Sequence, residues 1–320
     1  MTDTTMPTRR PNLRWLASSQ VGLALVIAVF VVVFWLATAG FGSRFNLYAL
    51  GRVVAIDVVI GCSMMVVLAT GGMNLAVGSI AVSSVMFGGW LMQVVGLPVI
   101  PSVIVALAFG SALGWVNGIT VVKTGVNSFI ITLATMSLFF GAMIVLTEAE
   151  AFNALPKSFT DIGKQKVFGF VSVLVFVALA VCAALHTLFR FTAIGRQILA
   201  AGANAKAAAL SGVPIDRAIV VAHMLSGGLA TLAGLMLTMR NGAALPSMTG
   251  HIGMDWLLPA FLAPVLGGTL LSGGGVSVVG TLLGALLVGV LKNGLLLLQV
   301  GDFWIQLFLG LILLAAVVLD

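Results

Sequence analysis

Charge is what this sequence has least of. Asp, Glu, Lys and Arg make up 8% of the 320 residues, 61% are hydrophobic, and the mean hydropathy is +1.21. A water-soluble domain needs about a quarter of its residues charged to present a polar exterior, so a soluble fold is excluded. Cysteine is nearly absent too. Cys62 and Cys182 both lie inside apolar runs, where the residue acts as a small hydrophobe, and they imply neither a disulfide nor a metal. Catalytic motifs are missing: the chain has no H-E-x-x-H, no G-x-S-x-G and no G-x-x-x-x-G-K-[ST]. "DIGKQ" at Asp161 lacks the glycine and the hydroxyl of a phosphate loop. Any ATP-driven work must therefore use another subunit's engine, and no cofactor is expected.

What is present is apolar sequence in span-length runs. In lipid only helices and closed barrels satisfy their backbone hydrogen bonds, and runs of roughly 20 apolar residues without period-two alternation select helices. Breaking the runs at Gly, Pro, Asn and charge gives about ten transmembrane helices, near 15–39, 47–71, 74–95, 98–122, 126–147, 167–189, 216–239, 254–267, 275–300 and 303–319. The eighth is short enough to be a broken helix. The fold class is an all-α polytopic membrane protein. The first run, after Arg9, Arg10 and Arg14, is too long for a signal peptide and reads as a retained span.

Basic residues orient it. An inside N-terminus puts Arg9, Arg10, Arg14, Lys123, Arg190, Arg196, Lys206 and Arg217 in the cytoplasm, and leaves Arg44, Arg52, Lys157, Lys164, Lys166 and Arg240 near the outer face. The positive-inside bias favours that choice, and an even count puts both termini in the cytoplasm. The net charge of +6 is dispersed at span ends, as orientation requires and as nucleic-acid binding does not.

Within the spans, Gly110, Gly114 and Gly118 share one helix face and predict close approach by a neighbouring backbone. "NGITVVKTG" from Asn117 echoes "NGLLLLQVG" from Asn293. If spans 2–5 correspond to spans 7–10 they run in opposite directions, the inverted repeat of many transporters; chance recurrence in Gly-rich helices is the alternative. Intramembrane ionisable groups are few. Asp57 is expected to pair with Arg52 or cap a helix, His223 to pack through a hydrogen bond, and Lys292 to make a polar helix contact. "GGMNLAVGS", 71–79, is either a tight turn or irregular backbone at membrane depth lining a cavity. A second break, "LGGTLLSGGG", follows span 8.

"GRQILAAGANAKAAALSGVP", 195–214, is too polar to cross a bilayer. Asn204 is a good N-cap, "AKAAAL" a strong helix former, and Gly212 with Pro214 a stop. So short a helix is marginal alone, and it lacks the bulky face of a membrane-surface helix. Docking against another protein is its natural support.

Three stretches taken together, "GGMNLAVGS" at 71–79, "AIGRQILAAGANAKAAALSGVPIDR" at 193–217 and "LGGTLLSGGGVSVVGTLLGALLVGVLKNGL" at 266–295, resemble the permease subunit of bacterial ABC importers of the ribose and monosaccharide class. The resemblance implies an inner-membrane, multi-pass protein with a cytoplasmic tail, 1–14, and a single permease domain, 15–320, whose loop 190–217 carries a cytoplasmic coupling helix. It implies three kinds of partner: cytoplasmic ATP-binding subunits, a periplasmic sugar-binding protein, and a second permease copy or paralogue. Gly195, Arg196, Gly202, Asn204, Ala207, Ala208, Leu210, Ser211 and Gly212 would couple to the ATPase, and Gly72, Asn74, Gly78, Asp255 and Asn293 would lie on the substrate pathway. Two departures bear on the solute. Asn74 and Ala76 stand where the family usually has Asp and Ser, and "GMDW" keeps only Asp255 of an acidic pair. The expected cargo is a neutral pentose, hexose or deoxyhexose; an ion-coupled secondary transporter of a small neutral solute and an intramembrane enzyme are the rival readings.

Overall fold

The computed structural model describes residues 19–319. The basic tail 1–14 and the opening residues of the first span lie outside them. The apolar runs fold as α1 (Ser19–Ala37), α2 (Arg44–Leu68), α3 (Val77–Gln93), α4 (Val99–Thr124), α5 (Ser128–Thr147), α7 (Val173–Phe191), α10 (Ile215–Asn241), α11 (Leu257–Leu266), α12 (Val278–Leu297) and α13 (Asp302–Leu319). Between α5 and α7 lie the one-turn α6 (Lys157–Thr160), a 3-10 turn at Ile162–Lys164 and the two-residue strands β1 (Lys166–Val167) and β2 (Val171–Ser172), paired antiparallel. Between α7 and α10 lie α8 (Ala193–Ala203) and α9 (Ala205–Leu210). Among the described residues seven helices are long and apolar enough to span a membrane, and the apolar helices α3, α11 and α13 bring the set to the expected ten.

The two short ones, α11 and α3, carry information. Helix α11 has 10 residues, about 15 Å of rise, half the thickness of a bilayer core. A 3-10 segment, His251–Trp256, precedes it, so the eighth span is broken as its length predicted. Helix α3 has 17 residues and begins after the irregular stretch 69–76. The two broken entries meet: a Cβ on Gly78 would overlap the carbonyl of Gly253, and one on Gly253 would lie 2.6 Å from the amide nitrogen of Ser79. Only glycine permits backbone on backbone at that spacing, and Gly253 also has φ +85°.

The helix contacts of spans 2–5 parallel those of spans 7–10, as the possible repeat would have them. Helices α2 and α10 cross each other at the centre. Helix α2 packs on α11 and α12 as α10 packs on α3 and α4, and α3 packs on α4 and α5 as α11 packs on α12 and α13. The Asn-Gly echo falls on the corresponding helices α4 and α12. Helices α1, on α12, and α7, on α2, stand outside the correspondence. The glycine face of α4 finds its partner in α10: Cβ atoms on Gly110, Gly114 and Gly118 would strike Thr231, the His223 carbonyl and Val220, and Gly227 in turn lies against the Gly110 carbonyl.

Contacts sort the loops to two ends. At one, Gln20 donates to Ser277 Oγ (2.9 Å), the Met73 amide to Ser128 Oγ (2.9 Å) and the Gly274 amide to the Ala69 carbonyl (3.0 Å). At the other, the Tyr48 hydroxyl donates to the Lys164 carbonyl (3.0 Å), the Phe152 amide to the Ala244 carbonyl (3.0 Å), and Asn46 and Asn293 exchange side-chain amide bonds of 2.9 and 3.0 Å. Helices α8 and α9 belong to the first end, through Gly202 against Ala69.

Candidate functional site: coupling segment and solute path

The segment between α7 and α10 is built from caps and glycines. Thr192 Oγ1 accepts the Gly195 amide (3.1 Å) and starts α8. Gly195 is buried against the Leu188 carbonyl and Phe189, which lets α8 fold back on the end of α7. Ile198 and Ala201 are its inward anchors, and Arg196 faces out. At its far end Gly202 meets the backbone of Ala69, where α2 ends, and lies 2.6 Å, by an added Cβ, from the amide nitrogen of Gly274 in the turn before α12. Any side chain there would force these three strands of backbone apart.

Asn204 then breaks the helix at φ −162° and caps α9, its Oδ1 accepting the Ala207 amide at 3.0 Å. Ala208 packs inward, whereas Ala207, Ser211 and Gly212 are exposed and Leu210 is 92% exposed. The Val213 amide reaches the Ala208 carbonyl and the Gly212 amide the Ala209 carbonyl, both at 3.0 Å. Gly212, at φ +78°, is the left-handed residue this stop requires. A leucine held in water at the tip of an alanine helix has no stabilising role in the isolated chain, since burial, not exposure, is what an apolar side chain gains from.

The expected pathway residues divide into two groups. Gly72 faces the Ser128 hydroxyl, and Asn74 is fully buried: its Nδ2 donates to Ser226 Oγ (2.9 Å), its Oδ1 accepts the Ala76 amide (3.1 Å), and Ser226 Oγ lies 3.0 Å from Ser63 Oγ. This network ties α2, the break before α3, and α10 together. "GGMNLAVGS" thus enters the protein as irregular backbone that is buried from Asn74 on, with the Met73, Leu75 and Ala76 amides bonded to side chains, and Gly78 serves the crossing with Gly253. Asp255 and Asn293 form the second group, nearer the other end. Asp255, Gln306 and Lys292 line a cavity of about 360 Å³. Asn293 lines an adjacent one of about 220 Å³ with Leu50, Val53, Arg240 and the same Lys292.

The ionisable residues depart from the local expectation. Arg52 donates to the Arg240 carbonyl (2.9 Å) and lies 5.3 Å from the Tyr48 ring centre, and does not pair with Asp57. The ion pair found among the described residues is Lys164–Asp161, at 3.8 Å on the surface. His223 does pack as expected, with Nδ1 2.9 Å from the Ile219 carbonyl.

Comparison with known proteins agrees with this architecture. Residues 46–317 match the family described as branched-chain amino acid transport system / permease component, and the chain belongs to that family. It is 36% identical to the ribose import permease protein of Bacillus subtilis over 94% of this chain and 92% of that one. It is 32% identical both to the ribose import permease protein of Escherichia coli K12, over 96% and 94% of the two chains, and to the D-allose transport system permease protein of the same strain, over 93% and 90%. No solved structure matches the chain significantly. The class is a multi-pass membrane permease.

Proposed function

We propose that the chain is the permease subunit of an inner-membrane ABC importer and translocates a monosaccharide, with ATP hydrolysed by a separate subunit docked on α8 and α9. The observation that carries the reading is the exposed, capped α9 with Leu210 at its tip, fixed through Gly202 to the ends of two central helices. Relatives similar over nearly their full length are named for ribose and allose import, which supports an aldose over the amino acid of the family's description. In this scheme Gly195, Arg196, Gly202, Asn204, Ala207, Ala208, Leu210, Ser211 and Gly212 form the coupling surface, and that end, with both termini, is cytoplasmic. Residues 15–320 act as one permease domain, paired with a second copy or paralogue and served by a periplasmic binding protein at the opposite end.

The test is reconstitution in proteoliposomes with the ATPase and binding protein. Uptake of labelled ribose or allose should require hydrolysable ATP. Uptake that persists without the ATPase, driven by a proton or sodium gradient, would overturn the proposal in favour of a secondary transporter.

A further inference from the structure

His223, about two turns into α10, has one bonded ring nitrogen and one bare one. Its Nδ1 lies 2.9 Å from the Ile219 carbonyl. A carbonyl only accepts, so Nδ1 carries the proton, and in the neutral ring Nε2 is left as an acceptor. The residue is 0% exposed, and Nε2 has no hydrogen-bond partner among the described residues. A buried acceptor left unpaired is costly, so Nε2 calls for a donor from outside the chain. His223 lines a cavity of about 200 Å³ at the end of the molecule that carries α8 and α9. The cavity is exposed at Gly71 and Asn127 and reaches inward to the buried Ser128 and His223. Its volume is roughly six times a water molecule's share of the liquid, so it admits more than one bridging water. Glycine keeps that space open, since a Cβ on Gly72 would lie 2.9 Å from Ser128 Oγ.

The lining is polar and uncharged. Thr70 Oγ1 donates to the Val67 carbonyl (2.7 Å) and keeps lone pairs to accept with. Ser128 Oγ accepts the Met73 amide (2.9 Å), and its own hydrogen is not used in that bond. Asn127 Oδ1 accepts the Phe129 amide (2.9 Å), which leaves the Nδ2 hydrogens out of that bond. Among the described residues no Asp, Glu, Lys or Arg lines the cavity. A charged ligand would therefore shed water without meeting a counter-charge, and a zwitterion would do so at both ends. Hydroxyl groups donate and accept, so they match a buried acceptor with donors beside it and carry no charge to desolvate. We infer that this cavity is a binding site for a neutral polyhydroxylated solute, with His223 Nε2 accepting from one hydroxyl and Ser128 Oγ and Asn127 Nδ2 donating to others. The inference rests on the importer reading, under which this end is cytoplasmic and the cavity is a stop on the way out. Gly71 lies two residues past Ala69, the backbone that Gly202 of α8 packs against, so the cavity and the coupling segment share a support.

The test is nuclear magnetic resonance on the full chain in lipid nanodiscs, with isotope-labelled histidine. The His223 signals are assigned by their loss in His223→Leu and in His223→Gln. Titration with ribose or allose should move the His223 Nε2 resonance upfield and saturably, as a hydroxyl donates to it, while the signals of His186 and His251 hold. Leucine, a zwitterion, should move none of them. Ribose affinity, read by saturation-transfer difference, should weaken about fivefold in His223→Leu, the effect of one lost hydrogen bond, and recover to within about twofold in His223→Gln, which keeps an acceptor. An Nε2 resonance that neither aldose moves, because water alone donates to it, overturns the inference. So does a shift produced by leucine at equal concentration, and so does equal ribose affinity in all three chains. A complete reconstituted importer that takes up no aldose with ATP overturns the importer reading itself, whatever the titration shows.

Discussion

Replacing Leu210 by alanine probes the proposed coupling surface at its most exposed point. The side chain is 92% exposed in the permease, so truncating it should change permease stability by no more than about 0.5 kcal/mol, the usual range for surface changes. If the ATPase covers it, the substitution deletes three buried carbons. At roughly 0.8 kcal/mol for each, that is about 2.4 kcal/mol for each docked helix, or about fiftyfold in affinity. The assay is titration of the purified ATPase subunit onto the permease held in lipid nanodiscs, read by interferometry, beside a thermal melt of the permease alone. Leu210→Met, similar in volume, should bind near wild type. Unchanged affinity in Leu210→Ala would falsify the docking assignment. A lowered melting temperature without an affinity change would mean that Leu210 packs within the permease.

Other perturbations separate structural from coupling roles. Asn204→Ala removes the cap of a six-residue helix, costing about 1 kcal/mol; amides 205–210 should exchange hydrogen faster, and ATPase stimulation should fall while the melting temperature holds. Gly110→Val drives a side chain into Thr231 and Ser84, and Thr231 is tethered to the Gly227 carbonyl at 2.9 Å; overpacking of about 3 kcal/mol should show as a lower melting temperature and reduced recovery of folded protein. Asn74→Leu orphans the Ala76 amide and breaks the bond to Ser226, costing about 2 to 4 kcal/mol; a melt within 1 °C of wild type would refute the structural role given to that network.

Span count and span limits were legible because lipid demands long apolar runs and the breaks carry Gly, Pro and Asn. The half-length eighth span could be read from length alone, and the Gly110 face from its four-residue spacing. Its partner could not, because Thr231, His223 and Val220 become neighbours only when α10 crosses α4. The caps at Asn204 and Gly212 are local motifs and stood in the sequence as they stand in the structure. The Asp57–Arg52 pair was misjudged for the opposite reason. Asp57 has a basic neighbour five residues away, which made pairing with Arg52 the natural local reading, but Arg52 is committed to the Arg240 carbonyl and the Tyr48 ring. Arg240 and Lys292, on α10 and α12, come to line one cavity. Their meeting is a product of tertiary packing, and no pattern on a single helix encodes it.

Tertiary packing also ties the proposed coupling surface to the helices of the core. Gly202 touches the end of α2 at Ala69 and the turn before α12 at Gly274, and a Cβ on Gly273 would lie 2.5 Å from the Gly71 nitrogen and 3.0 Å from the Gly202 Cα. Three backbone segments without intervening side chains form a stiff contact, because no rotamer can yield. A displacement of α8 and α9 by a docked ATPase would therefore move the near ends of α2 and α12, while the Asn46–Asn293 amide pair holds the same two helices together at the far end. With one end pinned and the other pushed, α2 and α12 would tilt about the Asn46–Asn293 pair, so that motion of the coupling segment is passed along their length.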